Sequence, residues 1–390
     1  MTLNKLDLKR PKRLLSMDGG GIRGLIVAEI LIKLEDILCN QPNSPWKCLA
    51  DYFDFIGGTS AGSILAAGLA KGMSARELRD IFYNDAHKMF TKRWLLGQLW
   101  SKYDSEPLEQ NLKSILGDIT LGSDQLKTLL MVVSKNVTTD AAWFFVNHPN
   151  NQFFKTNSEI PLWHIVRASS AAPTFFPPHM FAIGNQQYEF VDGAVSMFNN
   201  PSFQLFVEAT QKEYGIGWET GADNLLLISI GTGFSNQPIK LGEAKKYTLL
   251  NWAGYAIGDL MEDANVEQNV LMKLIGYTPR SEHINRELSD VSVPSINGMQ
   301  QLETGTSNAE TSPPQPVDDS NRKLLTYHRY TTSFTKKRFE QLKLPPNIDP
   351  NLVTSIDCVD QVDALSKIGQ AVAEEQVSPK DFEKFKHEDY

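Results

Sequence analysis

The sequence predicts an α/β domain with a mostly parallel central sheet. Three observations carry that prediction. Short apolar runs of strand length alternate with segments of helix length and spacing. Two of the strands run straight into glycine-rich turns, "DGGGIRG" (18–24) and "GGTSAG" (57–62), and each turn opens onto a helical pattern. No internal repeat or heptad pattern competes with this reading.

Taken in order, "RLLSMD" (13–18) is a strand and "LIVAEILIKLEDIL" (25–38) is a helix with apolar residues on nearly every side. "YFDFIGG" (52–58) is a second buried strand, followed by the helix "SILAAGLAKGM", whose small residues allow close packing. Further strands are expected at "TLLMVVSKNV" (128–137), "AWFFVNH" (142–148), "YEFVDGA" (188–194), "NLLLISIGTG" (224–233) and "LLTYHRYTTSF" (324–334). A helical tail follows at 357–386. Residues 291–323 are rich in Ser, Thr, Pro, Asn and Gln and nearly free of aromatics, the composition of a flexible insertion. The expected organisation is a core over 13–205 and a C-terminal part, 206–390, that completes the sheet and its helical layer.

The 390 residues carry a net charge of -8, which argues against binding nucleic-acid duplexes through a broad basic surface. Residues 1–13 are basic and polar, and no apolar stretch of secretory length follows, so no signal peptide is expected. No run reaches the roughly 18 apolar residues of a membrane span. The three cysteines form no metal-type pair and read as reduced thiols, which places the chain in the cytoplasm. Neither an EF-hand spacing nor H-E-x-x-H is present, so neither a metal nor another cofactor is implied. Oligomeric state is left open.

Chemistry concentrates in three places. Gly58-Thr59-Ser60-Ala61-Gly62 is a G-x-S-x-G at a strand-to-helix junction, where tight backbone turning exposes a serine hydroxyl above the sheet. The plain alternative is a glycine turn whose serine caps the helix. Of the histidines downstream, His283, His328 and His387, none sits at a clear strand end beside small residues. "FVDGA" (190–194) instead ends an apolar strand on Asp192 followed by Gly193, and burial would raise the basicity of that carboxylate. The spacing Gly19-x-Gly21-x-x-Gly24 fits a dinucleotide fingerprint, but the acidic strand tip that fingerprint needs about 20 residues further on is missing. The N–H groups of Gly19, Gly20 and Gly21 suit an oxyanion better, with Arg23 either pairing with a carboxylate or meeting a phosphate. A third turn, "SIGTG" (229–233), either shapes the floor of the site or simply reverses the chain, with reversal the expected role.

These stretches resemble the patatin-like phospholipases of bacterial type: "DGGGIRG" is similar to that family's oxyanion motif, "GTSAG" to its nucleophile motif, and "DGA" to its dyad aspartate. "ASSAAPTFFPP" (168–178) resembles the segment between the last two. The resemblance implies a patatin-type three-layer α/β/α fold and a calcium-independent lipid acyl hydrolase. By it, Ser60 is the nucleophile, Asp192 the base and Gly19 to Gly21 the oxyanion hole, with Arg23, Gly24, Gly58, Gly62 and Gly193 in support. The implied substrate is a phospholipid at a membrane surface, and a cyclic-nucleotide activator is left open, as is a soluble esterase or thioesterase activity on the same dyad. "HKMFTKRWLLGQLWSKY" (87–103) mixes basic residues with Trp94, Leu95, Leu96, Leu99 and Trp100, as a segment lying on anionic headgroups would, or a helix packed into the core.

Overall fold

The computed structural model describes residues 10–92, 101–235, 239–290 and 320–386. Nine strands form one sheet in the order β5-β6-β3-β2-β1-β7-β9-β8, with β4 pairing on β3. The strands are β1 (Lys12–Met17), β2 (Phe55–Thr59), β3 (Leu129–Asn136), β4 (Ala141–Val146), β5 (His179–Ile183), β6 (Gln186–Asp192), β7 (Leu225–Ile230), β8 (Gly276–Tyr277) and β9 (Leu325–Tyr330). Pairings from β3 through β2, β1, β7 and β9 to β8 are parallel, whereas β3–β4, β3–β6 and β5–β6 are antiparallel.

Strand periodicity splits the core into two layers. Leu15 and Met17 of β1, Ile56 of β2, Leu130 and Val132 of β3 and Ile228 of β7 face one way. They pack under α1 (Gly24–Leu38), α2 (Ala61–Lys71), α3 (Leu162–Ser169) and α6 (Val362–Gln376). Leu14, Phe55, Leu129, Met131 and Leu227 face the other way, under α4 (Ser202–Thr210), α5 (Leu249–Ile275) and the helix at Ser281–Asp290. The result is a three-layer α/β/α arrangement. Helix α1 is buried almost all round, and two of the few charged residues that interrupt its apolar run, Glu29 and Glu35, are buried with it. Its buried Glu29 accepts a hydrogen bond from Ser366 Oγ of α6 at 2.5 Å, and its buried Glu35 accepts one from the Ala75 N–H at 3.1 Å.

One departure from the parallel pattern places the site. β4 covers one edge of β3 from Met131 to Asn136. The other edge pairs with β2 as far as Val133, opposite Thr59, and from Ser134 onward with β6, opposite Asp192. β6 therefore fills the lane that β2 vacates and runs against it. The two strand ends meet head to head, Thr59 from one side and Asp192 from the other. An edge of parallel strands alone would not bring the end of residues 186–192 to this point.

Candidate active site

Ser60 stands at the N-cap of α2 with φ 54° and ψ -125°, a left-handed backbone conformation that a residue with a side chain adopts only when its surroundings impose it. Close packing imposes it here: a Cβ at Gly58 would collide with the Gly62 carbonyl, and one at Gly62 with the Met17 carbonyl of β1. The turn is fastened by the Ser60 N–H, which donates to Ser169 Oγ at 2.9 Å, while Ser169 Oγ donates to the Val133 carbonyl at 2.6 Å. Ser60 is therefore held to both α3 and β3.

Asp192 is buried, accepts a hydrogen bond from the Ala194 N–H at 2.8 Å, and lies near enough to the Ser60 hydroxyl for that group to favour its charged form. Burial pushes its pKa up to about 7; the two donors and the Arg167 guanidinium pull the other way and only partly offset it. Among the described residues no histidine hydrogen-bonds to Ser60 or Asp192. His328 is buried on β9, 4.0 Å from Asp381, His283 lies beside Arg280, and His387 is outside the described residues.

The glycine loop reaches the same place along a different route. Gly19 packs so that a Cβ on it would sit 3.1 Å from the Ser60 Cβ. Its N–H, however, donates to the Asn199 carbonyl at 3.1 Å, so it differs from the expectation that it faces an oxyanion. The N–H groups of Gly20 and Gly21 have no acceptor among the described residues, and Gly21, at φ 58°, lines a cavity beside Ser60. Gly24 lies against Phe82 and Ala61, and Gly193 against the Val133 carbonyl, each too closely for a side chain.

Arg23 meets neither a carboxylate nor open solvent. It is buried, donates to the Thr354 carbonyl at 3.1 Å and lies over the Phe334 ring. The carboxylate of the loop, Asp18, is held instead by Arg329 of β9 in a buried two-pronged pair at 2.9 and 2.6 Å. The third glycine turn does more than reverse the chain, because Thr232 Oγ1 donates to the Gly19 carbonyl at 2.8 Å. Ser169, Asn199, Thr232 and Arg329 all brace the site; Ser169 and Thr232 fall in stretches the sequence had singled out, but no local pattern gave any of the four this role, since each acts through a contact distant along the chain.

The cavity beside Ser60 has a volume of about 40 Å³ and is lined by Gly21, Ile64, Phe90, Phe175, Phe176 and Ile356 among others. It has room for a few water molecules. Ile356 forms part of its wall, and the segment around it is tied down: Ile22 N–H donates to the Ile356 carbonyl at 2.9 Å, and Asp357 accepts from Tyr103 Oη at 2.7 Å and pairs with Lys102. Within the segment 87–103, Phe90 packs on Tyr103 and Phe176, and Met89 joins the cavity wall, so these apolar residues face inward while His87, Lys88, Lys92 and Lys102 are exposed. Trp94, Leu95, Leu96, Leu99 and Trp100 lie outside the described residues.

A serine on a tight strand-to-helix elbow, beside a buried carboxylate under unpaired backbone N–H groups, defines a three-layer α/β protein laid out as a serine acyl hydrolase. The chain belongs to the patatin-like phospholipase family, whose model matches residues 15–205. It is 34% identical over 252 residues to a cGAMP-activated phospholipase of Escherichia coli (strain TW11681), covering 62% of this chain and 67% of that one. It is 38% identical over 237 residues to a cGAMP-activated phospholipase of Vibrio cholerae serotype O1, covering 58% and 65%. With Patatin-17 of Solanum cardiophyllum it shares 32% over 258 residues, 61% of this chain and 65% of that protein. The matched segment thus spans about two thirds of the length of each relative.

Proposed function

We propose that this chain hydrolyses fatty acyl esters of membrane phospholipids, as a phospholipase A or lysophospholipase, through a Ser60–Asp192 dyad. Ser60 Oγ attacks the ester carbonyl carbon as its proton passes to Asp192. The oxyanion that forms is met by the Gly20 and Gly21 N–H groups and the N-terminal end of α2. Collapse breaks the ester bond, and Asp192 returns the proton to the departing alcohol, leaving an acyl-Ser60. Water then gives a proton to Asp192 while its oxygen attacks the acyl carbon, and the fatty acid leaves as Ser60 recovers its proton. What supports this reading is the Ser60 hydroxyl on its elbow beside a buried carboxylate whose pKa is pushed up to about 7, high enough to serve as a base near neutral pH. A fluorophosphonate probe is expected to label the wild-type chain at Ser60 and to leave Ser60→Ala unlabelled. Mass spectrometry of phospholipid vesicles is expected to show free fatty acid with the former only. Fatty acid release by Ser60→Ala would refute the dyad. Turnover of monomeric short-chain esters with intact phospholipids left untouched would favour a soluble esterase.

We further propose that the activity is switched on by a cyclic nucleotide, in the cytoplasm, with the chain on a membrane surface while active. Two observations support regulation. The cavity at Ser60, of about 40 Å³ with Ile356 in its wall, is too small for an acyl chain. The bacterial relatives are named as cGAMP-activated. Vesicle hydrolysis measured with and without cGAMP tests this, and an identical rate in both would overturn it.

A further inference from the structure

Helix α5 is longer than the sheet it covers. Its 27 residues span about 40 Å, whereas a six-residue strand such as β7 spans about 20 Å. The two ends of the helix are not alike. Its C-terminus runs into β8 at Gly276, which pairs with Leu325 at the start of β9. Ten residues earlier, Asn265 Oδ1 accepts from Asn199 Nδ2 at 3.2 Å, and Asn199 is the residue whose carbonyl holds Gly19. Asn265 therefore stands level with the glycine loop. Trp252, 13 residues further toward the N-terminus, lies about 20 Å beyond it along the helix axis, past the sheet edge that carries Ser60.

That overhang is aromatic, cationic and open to solvent. Trp252 is 42% exposed, Tyr255 38%, and Leu241 in the preceding loop wholly so. Tyr247, Trp252 and Tyr255 meet edge to face, with ring centroids 5.2 and 5.7 Å apart. A Cβ added at Gly242 or Gly258 would touch nothing within 4 Å among the described residues, so the surface is open at those two positions. Lys240, Lys245 and Lys246 are exposed and close in sequence to the rings, and within 240–255 the one acid is Glu243; Asp259 follows one turn beyond Tyr255, and Glu262 and Asp263 about two turns beyond it. Thr248 and Asn251 cap the helix reciprocally, the Thr248 N–H donating to Asn251 Oδ1 at 3.0 Å and the Asn251 N–H to Thr248 Oγ1 at 3.3 Å, which gives the tip a fixed shape.

We propose that this tip, Lys240 to Tyr255, docks the chain on an anionic phospholipid surface. Tryptophan and tyrosine rings settle at the headgroup boundary, where the apolar body is buried and the polar edge stays wet. Lysines alongside them meet the negative surface potential. Because the overhang rises from the sheet edge that carries Ser60, docking turns the active-site mouth toward the bilayer. The inference rests on the proposed phospholipid substrate for its biological sense, but its test does not depend on turnover.

Binding is measured by flotation of the full chain carrying Ser60→Ala, with vesicles of phosphatidylcholine alone and of phosphatidylcholine mixed with phosphatidylglycerol. The pair Trp252→Ser/Tyr255→Ser is expected to weaken binding to both by about tenfold or more. The triple Lys240→Glu/Lys245→Glu/Lys246→Glu is expected to abolish the preference for phosphatidylglycerol. In a Ser60 background both variants should hydrolyse a soluble short-chain ester at the wild-type rate, which shows that they fold. Unchanged flotation in both variants overturns the proposal. So does a loss of self-association in light scattering with flotation intact, which would assign the tip to a second copy of the chain. Vesicle binding without any phospholipid turnover by the wild type would leave docking standing and remove the proposed substrate.

Discussion

Replacing Asp192 with asparagine separates what the carboxylate does for chemistry from what it does to stability. Its pKa is lifted from 3.8 to about 7 because burial disfavours the charged form more than Ser60, Ala194 and Arg167 favour it. At about 1.4 kcal/mol per factor of ten, that lift corresponds to about 4 kcal/mol. Between those two pH values the folded chain keeps a proton that the unfolded chain has released. Stability from this group is therefore fully present below about pH 4, falls as pH rises to about 7, and stays level above it. Asparagine is nearly isosteric, can still accept from the Ala194 N–H, and carries no charge to bury. Asp192→Asn should accordingly be more stable than the wild type by up to about 4 kcal/mol at pH 8 and by almost nothing at pH 4. For a chain of 390 residues melting as one unit, with about 2 cal/mol/K of unfolding entropy per residue, the gain at pH 8 is about 5 °C in Tm. Calorimetric melting of both proteins from pH 4 to pH 8 measures it, beside turnover of a soluble ester. The wild-type kcat/KM should rise with pH through about 7, where the base loses its proton, and the variant should be inactive throughout. A variant less stable than wild type at pH 8, or a difference independent of pH, would refute the reasoning.

Three further outcomes are expected. Ser169→Ala deprives the Ser60 N–H of its acceptor inside the protein, which should cost about 1–3 kcal/mol in urea unfolding and lower kcat more than it raises KM; an unchanged kcat would show that the elbow needs no such fastening. Arg329→Met leaves Asp18 charged and buried without its two-pronged partner, a loss of about 3–5 kcal/mol that Asp18→Asn in the same chain should partly restore, read by denaturant melts of the single and double variants. Tyr103→Phe combined with Asp357→Ala loosens the segment around Ile356 and should raise unstimulated turnover of a soluble ester several-fold, while a rate at or below wild type would mean that residues 354–358 do not limit access.

The parts legible in advance are those written in consecutive residues. "GGTSAG" states an elbow because glycines two positions either side of Ser60 permit the close packing of β2, α2 and β1, and "FVDGA" states a strand ending on a buried acid. The alternating apolar runs give both layers of the core, since side chains on a strand alternate by stereochemistry alone. What misled was reading each glycine N–H as equally available. The Gly19 N–H is taken by Asn199, a residue 180 positions away that no local pattern connects to it. Arg23 misled in a similar way, because its nearest acceptor, the Thr354 carbonyl, belongs to a backbone that approaches only in the folded chain.

By itself, then, the sequence determined the layered α/β architecture and the family, and it singled out Ser60 and Asp192 as candidates, because these follow from short-range periodicity and from turns that only glycine can make. Tertiary structure decided which groups meet: β6 entering the lane left by β2 so that Asp192 faces Ser60, Arg329 holding Asp18, Ile356 in the wall of the cavity, and α5 reaching past the sheet edge. Each of these joins residues far apart along the chain, and such a contact is set by how whole strands and helices pack, for which neighbouring residues carry no code.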